Sequence, residues 1–215
     1  MKLPLHDCFV KALEKIGLSE IIEHPVFYSA PAGIRFEIGH DDDVYVHTRR
    51  GSAANPRYVQ GCLDRAVPLC QAVPPNILRF DLWPEDIDYA ETAKAIQTIL
   101  GAPHEQHLLL RPDLQAEYES ADEIHQECRY WSIGAETDYS PLLQEIILAD
   151  IGGCNALASN VYFIDTARAV LFHLYDDRGA DIVAAEPAPL LPLYNRFNSW
   201  ILDYDREKID ALFAT

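Results

Sequence analysis

The sequence predicts an α+β fold: a mixed or mainly antiparallel sheet packed with helices, ending in a strand meander followed by amphipathic helices. Three observations predict it. Strand-like and helix-like segments alternate through the first half, and three strand candidates cluster between residues 160 and 184. Neither G-x-G-x-x-G nor G-K-[ST] occurs to mark a doubly wound nucleotide-binding sheet. With 49% hydrophobic residues in 215, the chain can bury a substantial core.

Leu5 to Ile22 carries apolar residues at helical spacing (Leu5, Phe9, Leu13, Ile16), with Gly17 weakening or ending the helix. Val26–Ser29 and Ile34–Ile38 read as two short strands around Pro31 and Gly33. An acidic loop, His40–Asp43, leads into a short strand, Val44–His47, and Pro56–Val73 reads as a helix. "NILRFDLW" is a strand between prolines; Pro84–Leu100 is a helix ended by Gly101, and "EQHLLLR" a further strand. Leu114–Glu127 is weakly helical and "CRYWSIG" is a strand. "SPLLQEIILADIGG" is a helix with Pro141 in its first turn and Gly152 past its end. Asn160–Ile164, Ala169–Tyr175 and Asp181–Ala184 form the meander. Leu190, Tyr194, Phe197, Ile201 and Tyr204, with Trp200 beside them, place one apolar stripe on a closing core helix. The polar stretch Ser132–Ser140 is the nearest thing to a boundary. It would divide a single α+β protein, 1–215, into an N-terminal subdomain, 1–131, and a C-terminal strand–helix subdomain, 132–215.

Charge bounds function. Against 17 basic side chains stand 34 acidic ones, a formal charge of −17, which repels nucleic acid and anionic membranes and favours a basic protein partner or a divalent ion. Pro4, His6 and Asp7 interrupt any signal-peptide core, and no run of apolar residues is long enough to span a bilayer, so the expected location is cytoplasmic. Five cysteines (Cys8, Cys62, Cys70, Cys128, Cys154) with no C-x-x-C pair read as buried free thiols.

The stretch "LFHLYDDRGADIV" concentrates the candidate chemistry. Asp176 and Gly179 suit a hairpin connection, the first as acceptor of backbone N–H groups and the second as a residue available for positive φ. Asp177 and Arg178 remain, and an ion pair with Asp203, Asp205 or Arg206 of the tail would lock the two segments together. His173 and Tyr175 share a strand face, which places an imidazole near the turn carboxylates. "HDDD" lacks the spacing of a calcium loop, and "HEQH" is not H-E-x-x-H and stands at a strand entrance. No cofactor or metal is therefore expected from either.

The combination "YDDRGADIV" with "LLPLYNRFNSWILDYDREKIDALF" resembles the bacterial family described as domain of unknown function 3885. "GIRFEIG" and "CLDRAVPLC" are similar to that family's first half, less specifically, and the resemblance does not place His40–Pro56, so the triple aspartate draws no support from it. The resemblance implies a bacterial source and an α+β fold, and brings no activity. It also implies that Asp176, Asp177, Arg178, Trp200, Asp203 and Arg206 meet in space. Two functions follow as expectations. The first is a non-enzymatic acidic binding module, such as an immunity-type inhibitor covering a basic toxin. The alternative is a hydrolytic or metal-assisted enzyme using Asp176, Asp177 and Arg178 with His173.

Overall fold

The structure, a computed structural model, describes residues 3–39, 41–49, 51–120, 122–134, 136–152, 157 and 161–214. His40, Cys154 and Asn160 lie outside them. Among the described residues the order is α1 (Leu5–Ile16), α2 (Val26–Ser29), β1 (Ala32–Glu37), β2 (Tyr45–Thr48), β3 (Gly51–Ala54), α3 (Pro56–Ala72), β4 (Ile77–Leu82), α4 (Tyr89–Leu100) and β5 (Glu105–Leu110). There follow α5 (Pro112–Glu117), β6 (His125–Ser132), α6 (Ser140–Asp150), β7 (Val161–Asp165), β8 (Val170–Leu174), β9 (Gly179–Ala184), α7 (Leu191–Arg196) and α8 (Arg206–Phe213).

Seven strands form one sheet in the order β1-β9-β8-β7-β4-β6-β5, with every neighbouring pair antiparallel; β2 and β3 form a separate ribbon. The fold is therefore α+β, as the sequence predicts. Strands from both ends of the chain share the sheet, with β9, β8 and β7 inserted between β1 and β4. One sheet face carries the larger core, in which Phe36, Phe80, Trp131, Phe163 and Phe172 pack under α3, α4 and α6. The other face packs Tyr130, Tyr162 and Leu171 against Phe9, Leu13 and Ile16 of α1.

The helix ends obey their local chemistry. Gly17 closes α1 in the left-handed region, and Asn55 caps α3 by accepting the Arg57 N–H at 3.1 Å. Asp138 accepts the Ser140 N–H at 2.9 Å at the start of α6, and Gly152 adopts positive φ just past its end.

Several segments differ from the sequence prediction: Gly51–Ala54, expected in a loop, is strand β3 paired with β2, and the helices expected over Leu5–Ile22 and Pro84–Leu100 span Leu5–Ile16 and Tyr89–Leu100. Val26–Ser29 is one helical turn, not a strand; the Phe27 N–H goes to the Asp181 carboxylate at 3.2 Å instead of to a sheet ladder. Leu114–Glu127 is helical only to Glu117, because Glu119 takes positive φ and residues 125–127 join β6, where Glu127 lies opposite both Leu82 and Leu108. The tail is not one helix. It stops at Phe197, and Ile201–Leu202 runs extended along the edge strand β1, with Leu202 N–H donating to the Arg35 carbonyl at 2.9 Å. An open strand edge outcompetes continuation of the helix, and Tyr204, on the predicted stripe, ends up exposed.

Candidate functional site

A row of polar side chains crosses the α1 face of the sheet. Register places Arg35 opposite Asp181, Asp181 opposite His173, Arg79 opposite both Tyr162 and Tyr130, and Tyr130 opposite Glu105. His173 and Tyr162 close the gap by stacking at 5.0 Å. The row thus touches all seven strands, and most of it is buried. Arg79 forks onto Asp81 (2.6 and 3.0 Å) and Arg35 holds Asp181 at 2.9 Å. At the rim, Glu105 accepts the Leu5 N–H at 2.6 Å, a carboxylate at the start of α1 where the helix dipole favours it.

Beside the middle of this row opens a cleft of about 560 Å³, within the range of small-ligand and side-chain pockets. Asp81, Glu85, Asp86 and Arg111 supply its charges, Trp83, Tyr118 and Tyr162 its aromatic walls, and His24 reaches in from the loop after α1. Arg111 lies 5.1 Å over the Trp83 ring and is held by Asp113 and by Gln126 (2.6 Å). That hydrogen-bonded guanidinium keeps the Asp113 carboxyl below its usual range. Cleft and row meet at Tyr162, whose hydroxyl is 2.7 Å from His24 Nε2.

His24, Tyr162 and His173 form a ring stack, with the two imidazoles 4.8 Å apart. Burial, then the neighbouring His24, holds the His173 pKa well below 6.5. Burial likewise lowers that of His24, with Asp81 opposing and Arg111 assisting. A histidine whose folded pKa is depressed contributes stability above the unfolded value of 6.5, and that contribution is lost as pH falls through 6.5 toward the folded value. His173 is buried and is expected to give a slope approaching about 1.4 kcal/mol per pH unit below 6.5; His24 keeps an exposed edge, so screening reduces its share. Asp177 and Asp181, whose carboxyls burial pushes up, act with the opposite sign, which makes the comparison with a variant decisive. Urea unfolding at pH 7, 6 and 5 measures it: His173→Phe should flatten the slope, and an unchanged slope would exclude His173 as its source.

The sequence-predicted cluster separates into three places. His173 and Tyr175 share a face, rings 6.1 Å apart, on the polar row. Asp176 serves the turn, accepting the Arg178 and Gly179 N–H groups (2.7 and 3.2 Å) and pairing with the Arg178 guanidinium. Asp177 accepts the Tyr58 hydroxyl at 2.6 Å on the α3 side, away from His173. Arg178 is largely exposed and reaches Asp150 at 3.8 Å; its predicted pairing with the tail is replaced by another. Arg35 takes that part, binding Asp205 at 3.3 Å, while Asp203 pairs with Arg206 at 3.2 Å and Trp200 stacks on Phe197 at 5.0 Å. Gly179 needs no positive φ. A Cβ there would overlap the Tyr175 phenol, which lies directly over it.

His24, Asp81, Trp83, Arg111 and Tyr162 are absent from the sequence-level candidates. Their signal is faint: Arg79 and Asp81 recur at period two in the apolar strand "ILRFDL", a pattern normally read as solvent-facing.

A segment of 53 residues, 25% of this chain, is 30% identical to the "Uncharacterized protein YnaE" of Bacillus subtilis (strain 168), spanning 25% of that protein's length. No solved structure matches the chain. No helix among the described residues is long and apolar enough to cross a membrane. The family model "Domain of unknown function (DUF3885)" matches residues 11–205, nearly the whole sheet and its helices, and the chain belongs to that family.

Proposed function

We propose that the protein is an acidic binding module that captures a basic segment of a protein partner in the cleft beside Tyr162. The observation that carries this reading is the composition of that cleft: exposed Glu85 and Asp86 stand at its rim, while Asp81 is already paired with Arg79 and Arg111 with Asp113, within a chain of formal charge −17. Trp83 and Tyr118 offer apolar surface to the aliphatic stem of a lysine or arginine while the carboxylates meet its head. The long-range field speeds encounter with a basic partner, and the cleft supplies the short-range fit. Immunity-type inhibition of a basic toxin is one form such capture takes. The alternative of an enzyme built on Asp176, Asp177 and Arg178 has less support, because the turn and Tyr58 engage both carboxylates and His173 faces the other side of the sheet.

A hexa-arginine peptide at low salt is the probe, followed by calorimetry and by tryptophan fluorescence, with Trp83→Phe assigning the change among the three tryptophans. Saturable binding is expected at one peptide per chain, weakened about tenfold or more in Glu85→Gln/Asp86→Asn, a loss of about 1.4 kcal/mol. The control Glu186→Gln/Glu207→Gln removes the same charge from exposed positions elsewhere. Equal weakening by both pairs, or no saturable binding, would overturn the reading.

A further inference from the structure

We propose that His6, Glu20 and His107 form a binding site for a borderline divalent cation of the Zn²⁺ class. The three come from separate parts of the chain: the first turn of α1, the loop that follows it, and strand β5 at the sheet edge. One potential ligand atom from each lies within 4.8 Å of the others, and all three residues are partly buried. Ligands sharing one tetrahedral zinc ion, at bonds of about 2.0–2.2 Å, stand roughly 3.3–3.6 Å apart, so closing the site draws the ligand atoms together by about an ångström. Two imidazoles and one carboxylate suit zinc and its neighbours. Calcium and magnesium prefer all-oxygen shells.

The surroundings of His6 carry the inference further. Its Nε2 is 2.7 Å from a Glu20 oxygen and its Nδ1 is 3.2 Å from Asp7. A neutral imidazole has one N–H and satisfies one of these carboxylates. A proton at Nε2 lets the ring serve both carboxylates, and a metal cation there does the same: Nδ1–H stays on Asp7, and Glu20 turns from hydrogen-bond partner into ligand. This is the carboxylate–histidine–metal arrangement in which an outer acid fixes the ring's tautomer. His107 stacks on His6, ring centroids 4.0 Å apart, which keeps the two imidazoles adjacent; ligation of one ion requires the rings to turn out of this stack so that their in-plane lone pairs converge. Nearby, the Tyr130 ring packs edge-on against His6 at 5.8 Å, and its buried hydroxyl has no hydrogen-bond partner among the described residues.

Sequence spacing hid the site. "HEQH" draws attention to His104 and His107, yet His104 accepts the Ser132 N–H at 2.9 Å, and the partner of His107 is His6, in the first turn of α1 near the amino terminus. Three protein ligands leave a fourth position for water or an incoming donor, and the ion would pin α1 to the edge strand β5.

The test uses the untagged full chain, stripped with chelator and titrated with ZnCl₂, CoCl₂, MgCl₂ and CaCl₂. Expected are one Zn²⁺ per chain by calorimetry, a rise in melting temperature, a Co²⁺ spectrum without a thiolate charge-transfer band, and no response to Mg²⁺ or Ca²⁺. His107→Gln and Glu20→Gln should each weaken Zn²⁺ binding at least tenfold while melting like wild type without metal. His6→Gln provides a third variant should either of these fail to fold. Absence of saturable Zn²⁺ binding, affinity unchanged in folded variants, or a thiolate band pointing to the cysteines would each overturn the proposal.

Discussion

Replacing Arg79 by leucine is expected to destabilise the fold by about 3–5 kcal/mol, read as a lower urea midpoint at pH 7 with an unchanged m-value. Arg79 is fully buried. It forks onto Asp81, donates to the Glu20 carbonyl at 2.9 Å, and lies against the Phe9 and Tyr162 rings. Burial by itself would lower its pKa, and the adjacent Asp81 carboxylate overrides that, raising it above the usual value. Taking away the guanidinium leaves Asp81 desolvated without its partner, which is where the large cost arises. Removing both charges is a different matter. Arg79→Leu/Asp81→Leu should recover most of the loss, because a buried pair exchanged for apolar groups is often neutral in stability. If the double variant is as unstable as the single one, the ion pair is not the source of the effect.

Arg35→Ala is expected to cost a similar amount, about 3–5 kcal/mol, and to loosen the tail before the rest of the chain. Its guanidinium joins β1 to β9 through Asp181, reaches Asp205 of the tail, and lies 5.5 Å over the Tyr175 ring. Tyr28 completes the knot by donating to Asp205 at 2.9 Å. Burial pushes the Asp181 carboxyl up even with Arg35 attracting it down, and loss of the cation would push it further. A carboxyl whose folded pKa is raised favours the fold below its unfolded value of 3.8, and that favour is lost as pH rises through the folded value. The variant should therefore lie closer to wild type at pH 4.5 than at pH 7. Amide exchange across residues 197–213 should rise ahead of that in β7 and β8. A uniform rise, or a gap independent of pH, would remove Arg35 from the role of clasp.

Both variants act on the polar row, which shows how far the sequence could be read. Turn signals, short apolar runs and helical spacing sufficed for β1, β4, β5, the three strands of the meander, α1, α3 and α6; of these strands β5 alternates in burial, while β4, β7, β8 and β9 are buried on both faces. They failed where tertiary contacts outbid local preference. Val26–Ser29 is too short for spacing to decide, and its Phe27 N–H is claimed by Asp181. The run after Phe197 satisfies a helical stripe, yet the open edge of β1 offers Leu202 a ladder hydrogen bond, and Arg206 donates to the Asn198 and Ile201 carbonyls that the broken helix leaves behind.

The candidate site was harder still. Asp176 was legible as a turn residue because its partners lie two and three positions away. Charge pairs Arg178 with Asp205 in the sequence, but Asp205 is bound by Arg35, which register places opposite Asp181 and which comes from early in the chain.

Taken by itself, the amino-acid sequence determined the α+β class, the positions of most strands, the hairpin turn and the acidic field, since these depend on spacing and composition over a few residues. Only the tertiary structure decided that Arg35, Asp181, His173, Tyr162 and Arg79 align across the sheet, that a cleft opens beside them, and that His6 meets His107. Alternation tells which residues of one strand share a face. Strand order and register decide which residues of other strands lie opposite, and helix packing decides whether that face sees water or protein.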